Sequence, residues 1–221
     1  MFLEKKDKIG GNKMIQKTKE ICIPVLNTPT ATIKLQCIPG STLLQQKMSD
    51  ETKNELEEKY GRTAKTKLKG KQESKPLTDK EVVEGKIWRT INGEIGYPAS
   101  GFQKALLHTA TLKELEGVSG KLINGAVKVI GNIIPIKYKK MVTNEDWGKA
   151  SGMTGAPLRI LRPEFIDWSC ELTIRFDASM ISLEQIINLF NKAGFYSGVG
   201  SWRPGELKGG NHGMFQVVVG K

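Results

Sequence analysis

A chain of 221 residues holds one sizeable domain with an elaboration, or two small ones, and a hydrophobic content of 38% excludes wholesale disorder. Lys and Arg number 34 against 23 Asp and Glu, a formal charge of +11. That excess points either to a polyanionic partner, since each phosphate neutralised releases a condensed counterion, or to a basic protein with solvated lysines.

Cys22, Cys37 and Cys170 are widely spaced and form no CxxC pair. This disfavours a metal site or a disulfide framework and predicts reduced thiols in a cytoplasmic protein. No apolar run approaches the ~20 residues of a membrane span. Met1 to Gly11 has lysines without the apolar stretch of a secretory signal, so residues 1–20 read as a flexible arm and 21–221 as a single domain.

Ile21 to Leu26 is a short apolar run before Pro29. Ala31 to Ile38 alternates as a half-buried strand with Ile33, Leu35 and Cys37 on one face. From about Ser41 to Lys86 the composition shifts toward a basic insertion. Within it Ser49 to Tyr60 reads as a polar helix. Gly61 to Lys80 is lysine-rich with almost nothing apolar, which predicts a mobile segment. Lys65, Lys67, Lys69 and Lys71 would line one side of an extended ribbon and reach a backbone of phosphates, or stay solvated.

Asn92-Gly93 between Lys86–Ile91 and Glu94–Tyr97 predicts a hairpin. Pro98 then starts a helix over about Ser100 to Thr111, with Phe102, Ala105, Leu106 and Thr109 facing a core. Gly131-Asn132 joins Ala126–Ile130 to Ile133–Ile136 as another hairpin. Thr143 to Leu158, polar and glycine-containing, reads as a loop. Leu158 to Phe176 is a long strand region bent at Arg162-Pro163, with Cys170, Leu172, Ile174 and Phe176 pointing one way.

Ser182 to Gln185 forms a capping box, with Ile181 and Ile186 as a hydrophobic staple. Leu183, Ile186, Ile187, Leu189, Phe190 and Ala193 make one apolar helix face, and Gly194 supplies a left-handed stop. A final strand runs from Met214 to Val219. Strand, helix, strand, strand, helix, strand is the α+β, ferredoxin-like βαββαβ order, shared by the RNA-recognition (RRM) fold and by many unrelated proteins.

The candidate site lies before that last strand. Gly198, Gly200, Gly205, Gly209, Gly210 and Gly213 surround Trp202, Arg203, Lys208 and His212. Glycines let backbone N–H groups approach a phosphate, and an indole can stack a base for ~1–3 kcal/mol. The alternative is a long structural turn. Arg159 and Arg162 are either phosphate contacts or partners of nearby carboxylates. The Gly96–Ser100 helix start could hold a phosphate or be an ordinary cap. His212 could serve as a general base, but no second acid–base group flanks it, and His108 lies mid-helix. Nothing marks a metal site, a cofactor fingerprint or a nucleophile elbow, so a non-catalytic binder is expected.

These residues also carry a resemblance. GEIGYPASGFQKAL (Gly93 to Leu106) resembles the "PxxxfkxAl" helix entry of the RAMP superfamily, which includes the backbone subunits of CRISPR effector complexes. GVGSWRPGELKGGNHGMFQV (Gly198 to Val217) is similar to that superfamily's C-terminal glycine-rich loop and strand. "RPxFxxW" (Arg162 to Trp168) and "AGFxxGxGxWRP" (Ala193 to Pro204) look closer still to a group of bacteriophage proteins of that type. The resemblance covers Ala31 to the end, loosely before Gly93 and tightly after Leu161. It implies an RRM-like palm and single-stranded DNA or RNA held in a groove, with copies stacked along the strand. The superfamily's processing ribonucleases generally place a histidine near the first helix, and His108 matches that only loosely. The expected function is therefore a single-strand binder. The alternatives are a metal-independent endoribonuclease using His212 or His108, and a phage protein that blocks a host nucleic-acid machine by subunit mimicry.

Overall fold

A computed structural model describes residues 27–48, 53, 77–112, 118–149, 155, 157–207 and 209–218. The N-terminal arm, Ile21–Leu26, the Ser49–Tyr60 helix apart from residue 53, and Lys65, Lys67, Lys69, Lys71 and Lys208 lie outside the described residues.

The described chain is a mixed α+β protein. Its strands are β1 (Thr30–Cys37), β2 (Leu43–Leu44), β3 (Gly96–Pro98), β4 (Val127–Ile130), β5 (Ile133–Lys137), β6 (Lys140–Lys149), β7 (Pro157–Ile166), β8 (Ser169–Phe176) and β9 (Phe215–Val218). Its helices are α1 (Asp79–Gly85), α2 (Ala99–Ala110), α3 (Gly120–Ala126) and α4 (Leu183–Tyr196). One sheet runs β3–β5–β8–β1–β9 with β4 also on β8, and a second runs β2–β7–β6. Every strand pairing is antiparallel.

Alternation decides the inward face. Ile33, Leu35 and Cys37 of β1 and Cys170, Leu172, Ile174 and Phe176 of β8 are buried, as expected for a one-sided antiparallel sheet. Phe102, Ala105 and Leu106 of α2 and Ile186, Leu189 and Phe190 of α4 close over them. Each buried Leu, Ile or Phe among them contributes about 1.5–3 kcal/mol. The Ser182–Gln185 capping box forms, and Ile181 and Ile186 are both buried beside it. The Asn92-Gly93 hairpin forms as well. Its loop is Ile91-Asn92-Gly93, closed by Thr90 N–H donating to Glu94 O at 2.8 Å, with Gly93 at φ +84°.

Several expectations are corrected. Gly131-Asn132 is not a hairpin: β4 and β5 both run antiparallel to β8, so they follow one another along its edge. Between Ile130↔Thr173 and Ile136↔Cys170, five residues oppose two, and this wide bulge frees Ile133–Pro135 to pair with β3. Thr143 to Leu158 is not a loop throughout: β6 and β7 form a ten-pair ribbon. Both faces of β6 carry polar residues, so it lacks the alternation that marks a half-buried strand. α3, capped by the Ser119 hydroxyl, was unexpected.

Gly194 does not stop α4. The left-handed residue is Gly198 (φ +61°), whose N–H donates to Ala193 O at 2.8 Å. Gly194 is required instead by close packing, since a Cβ there would lie 1.7 Å from Phe215 O. Both ends of the expected insertion belong to the packed body, because Leu43, Leu44, Gln45, Val83 and Ile87 are all buried. Gln45 is satisfied there, donating to Gly96 O and accepting from Trp88 N–H, each at 2.8 Å.

Candidate functional site

The glycine-rich loop that joins α4 to β9 closes on the face of the β6–β7 ribbon. Arg162 on β7 is only 4% exposed. Its Nη1 donates to Asp146 Oδ2 at 2.5 Å and its Nε to Gln46 Oε1 at 3.1 Å, while Ser201 Oγ donates to the same Gln46 oxygen at 3.3 Å. The Trp202 ring lies over this guanidinium, 5.7 Å from Cζ to centroid. Trp202 adopts φ +56°, a left-handed conformation rare for a bulky side chain, and stays 41% exposed. Arg162 thus backs the indole, whose edge and outer side meet solvent.

The loop's amides are largely used by the protein itself. Gly200 N–H donates to the Tyr97 hydroxyl (2.8 Å), Gly205 N–H to Ser197 O (3.0 Å), Gly209 N–H to Glu206 O (2.9 Å) and Gly213 N–H to Thr42 O (2.6 Å). Trp202 N–H donates to Glu206 Oε2 at 2.9 Å. An added Cβ would lie 2.4 Å from Leu44 O at Gly200, 2.0 Å from Trp202 O at Gly210 and 1.6 Å from Val199 O at Gly213. These glycines let carbonyls approach closely; the amides of Gly198 and Gly200, expected to cradle a phosphate, are spent on Ala193 and Tyr97. Burial pushes the Tyr97 hydroxyl above the usual phenol range, so it stays protonated while it accepts from Gly200.

The predicted cations divide. Arg203 pairs with Glu206 at 3.7 Å. Arg159 lies three residues from Arg162 on β7, hence on the opposite ribbon face. It makes a two-pronged contact to Asp79 at 2.9 Å and also reaches Glu145 at 2.9–3.0 Å. These bonds raise the Arg159 pKa and hold the Glu145 carboxyl below the usual range. Neither Arg159 nor Arg162 is a free phosphate ligand. The structure brings Arg162, Trp202 and the loop together and leaves Arg159 apart.

His212 has a more specific setting. Its Nδ1 is 2.8 Å from Thr42 Oγ1, which is 2.7 Å from Glu164 Oε1. An ionised carboxylate only accepts, so the single Thr42 proton goes to Glu164 and His212 Nδ1 must donate. Whenever the ring is neutral, that tautomer leaves Nε2 as the acceptor. Asn144 donates weakly to Glu164 Oε2 at 3.4 Å, and its own Oδ1 has no partner among the described residues. His108 is exposed on α2, remote from these contacts. Gly96–Ser100 opens α2 without a side-chain cap; Ala99 N–H donates to Asn132 O, and Tyr97 pins the glycine loop.

No protein-family model matches this sequence, and no curated protein matches it either.

One cationic surface escaped the sequence reading. On the outward face of the larger sheet Lys128 stands opposite Arg175, and Arg175 opposite Thr30. Further along, Lys34 faces Glu171, and Lys137, Ser169, Gln36 and Gln216 form a row. Lys128 donates to Asn124 O; Arg175 and Lys34 make no ion pair among the described residues. Its signal was available, because alternation that turns Ile33 and Leu172 inward turns Lys34 and Glu171 outward.

Proposed function

We propose that the chain is a non-catalytic, sequence-tolerant protein that binds single-stranded nucleic acid, built on a ferredoxin-like, RRM-like palm of the RAMP type. The strand order β9–β1–β8–β4/β5 supports the fold reading: of the strands separated by α2 and α4, it is fourth, first, third, second. The observation that carries the function is the Lys128–Arg175 pair on the outward sheet face. Like charges directly opposite on neighbouring strands destabilise a sheet, and a polyanion lying across them relieves that cost. Lys34 and Lys137 extend the track, with Glu171 the only carboxylate in the registered rows among the described residues.

Threonine, serine and glutamine occupy most of the positions between these cations, with Ile130 and Val218 the apolar exceptions, so phosphates and sugars more than base edges are the groups this face suits. Trp202, backed by Arg162, offers a stacking face outside the sheet.

The test is a gel-shift series with single-stranded DNA, single-stranded RNA and duplex across a salt gradient. Lys128→Ala with Arg175→Ala should weaken single-strand binding and reduce the salt slope by ~1.4, at ~0.7 per phosphate contact. Affinity that ignores salt overturns the proposal. RNA fragments formed in EDTA and lost in His212→Ala would replace binding with cleavage.

A further inference from the structure

We infer that β6 is the interface between two copies of this chain, paired antiparallel about Thr143. Pro163 opposes Thr143, has no N–H, and turns its carbonyl toward β2, where it accepts from Gln45 N–H at 3.1 Å. Thr143 and Pro163 are therefore a non-hydrogen-bonded pair, and the Thr143 N–H and C=O point away from β7. Period two gives Met141, Glu145 and Trp147 the same outward backbone. None of these groups has a hydrogen-bond partner among the described residues.

An edge that the described residues leave open over this length is unusual, because unpaired N–H and C=O rows recruit another strand. Two of the usual protections are missing from β6: its ten-residue register with β7 contains no bulge and β6 itself no proline, so its guard is the charges it carries, Lys140, Glu145 and Asp146. The outer edge of the larger sheet shows the contrast. There Asn191 Oδ1 accepts from Val217 N–H at 2.8 Å, and α4 packs against Phe215 at Gly194.

The charge pattern selects the occupant and the register. Centred on Thr143, antiparallel self-pairing puts Lys140 opposite Asp146 and Met141 opposite Glu145 of the second copy, each twice by symmetry. Lys140–Asp146 falls at a non-hydrogen-bonded position of the new ladder, where side chains lie closest. Sliding the centre to Glu145 would set Glu145 against itself. Such a two-fold pair closes on itself, unlike the side-by-side stacking along a strand that the family resemblance implies.

Sedimentation velocity on the full chain, freed of nucleic acid, is the test. The wild type should run as a dimer of twice 24.5 kDa. Thr143→Pro should leave the β6–β7 ladder intact, because that N–H points outward, and yield monomer with an unchanged circular dichroism spectrum. Lys140→Glu should raise the dimer dissociation constant roughly tenfold. Thr143→Cys should form a disulfide-linked dimer on oxidation that the wild type does not. A monomeric wild type at high micromolar concentration overturns the inference, as does a Thr143→Pro variant that stays dimeric. If Thr143→Pro fails to fold, absence of the Thr143→Cys cross-link overturns it equally.

Discussion

Trp202 rests on Arg162, its ring centroid 5.7 Å from the guanidinium carbon, while Asp146 holds that guanidinium from the side at 2.5 Å. The ion pair is one-sided in burial: Arg162 is almost sealed, whereas a third of the Asp146 side chain meets water. Arg162→Ala should cost about 2–4 kcal/mol, at or below the usual range for breaking a buried pair because Asp146 can rehydrate. Arg162→Lys restores the charge but not the planar stack and should fall between the two. Urea unfolding measures the cost, and a red-shifted Trp emission should accompany it.

Two loop glycines separate packing from conformation. Gly213 combines φ +70° with a virtual Cβ 1.6 Å from Val199 O, whereas Gly209 has φ +50° and open space around it. Gly209→Ala should cost about 1 kcal/mol, the left-handed penalty alone. Gly213→Ala must also displace backbone and should cost more than about 3 kcal/mol. Similar melting temperatures for the two would refute the packing role.

Arg159 is occupied by Asp79 and Glu145, so its removal should not change oligonucleotide binding. Arg159→Ala should keep affinity within about twofold of wild type, since paired surface charges contribute little. The Lys128/Arg175 double variant is the contrasting case. A large loss of binding in Arg159→Ala alone would move the interface from the larger sheet to the Arg159 face of the β6–β7 ribbon.

Burial pushes the Cys170 thiol up to about 12 from its ordinary 9.0. The unfolded chain releases this proton first, so the native state binds more protons at alkaline pH and stability falls as pH rises. The contribution is complete below about pH 9 and is lost toward 12, with a limiting slope of about 1.4 kcal/mol per pH unit. Denaturant titrations between pH 8 and 11 should show a shallower decline for Cys170→Ala than for the wild type.

Residues that bury one face announced themselves. Ile33–Cys37 and Cys170–Phe176 alternate because helices cover only one side of their sheet, and Ser182 with Gln185 marked the start of α4 through local chemistry. β6 stayed hidden because both of its faces carry polar residues: Asn144, Glu145 and Asp146 read as loop until β7 is placed beside them. The loop glycines were visible, but their purpose was not. Glycine declares that something comes close; only the fold reveals that Leu44, Val199 and Trp202 carbonyls do so, leaving no room for a phosphate at those positions. Arg162 was likewise a candidate by type, and Asp146 and Gln46, which occupy it, come from β6 and from the stretch after β2.

The step between β4 and β5 sets how the protein tolerates length changes. Gly96–Pro98 is suspended from Ile133–Pro135, Ala99 begins its helix against Asn132 O, and Tyr97 fastens the distal loop through Gly200. Deleting three residues there would straighten the ladder along β8, yet strand that suspended segment and everything tied to it. A local irregularity of backbone thus couples the first helix to a loop more than a hundred residues downstream.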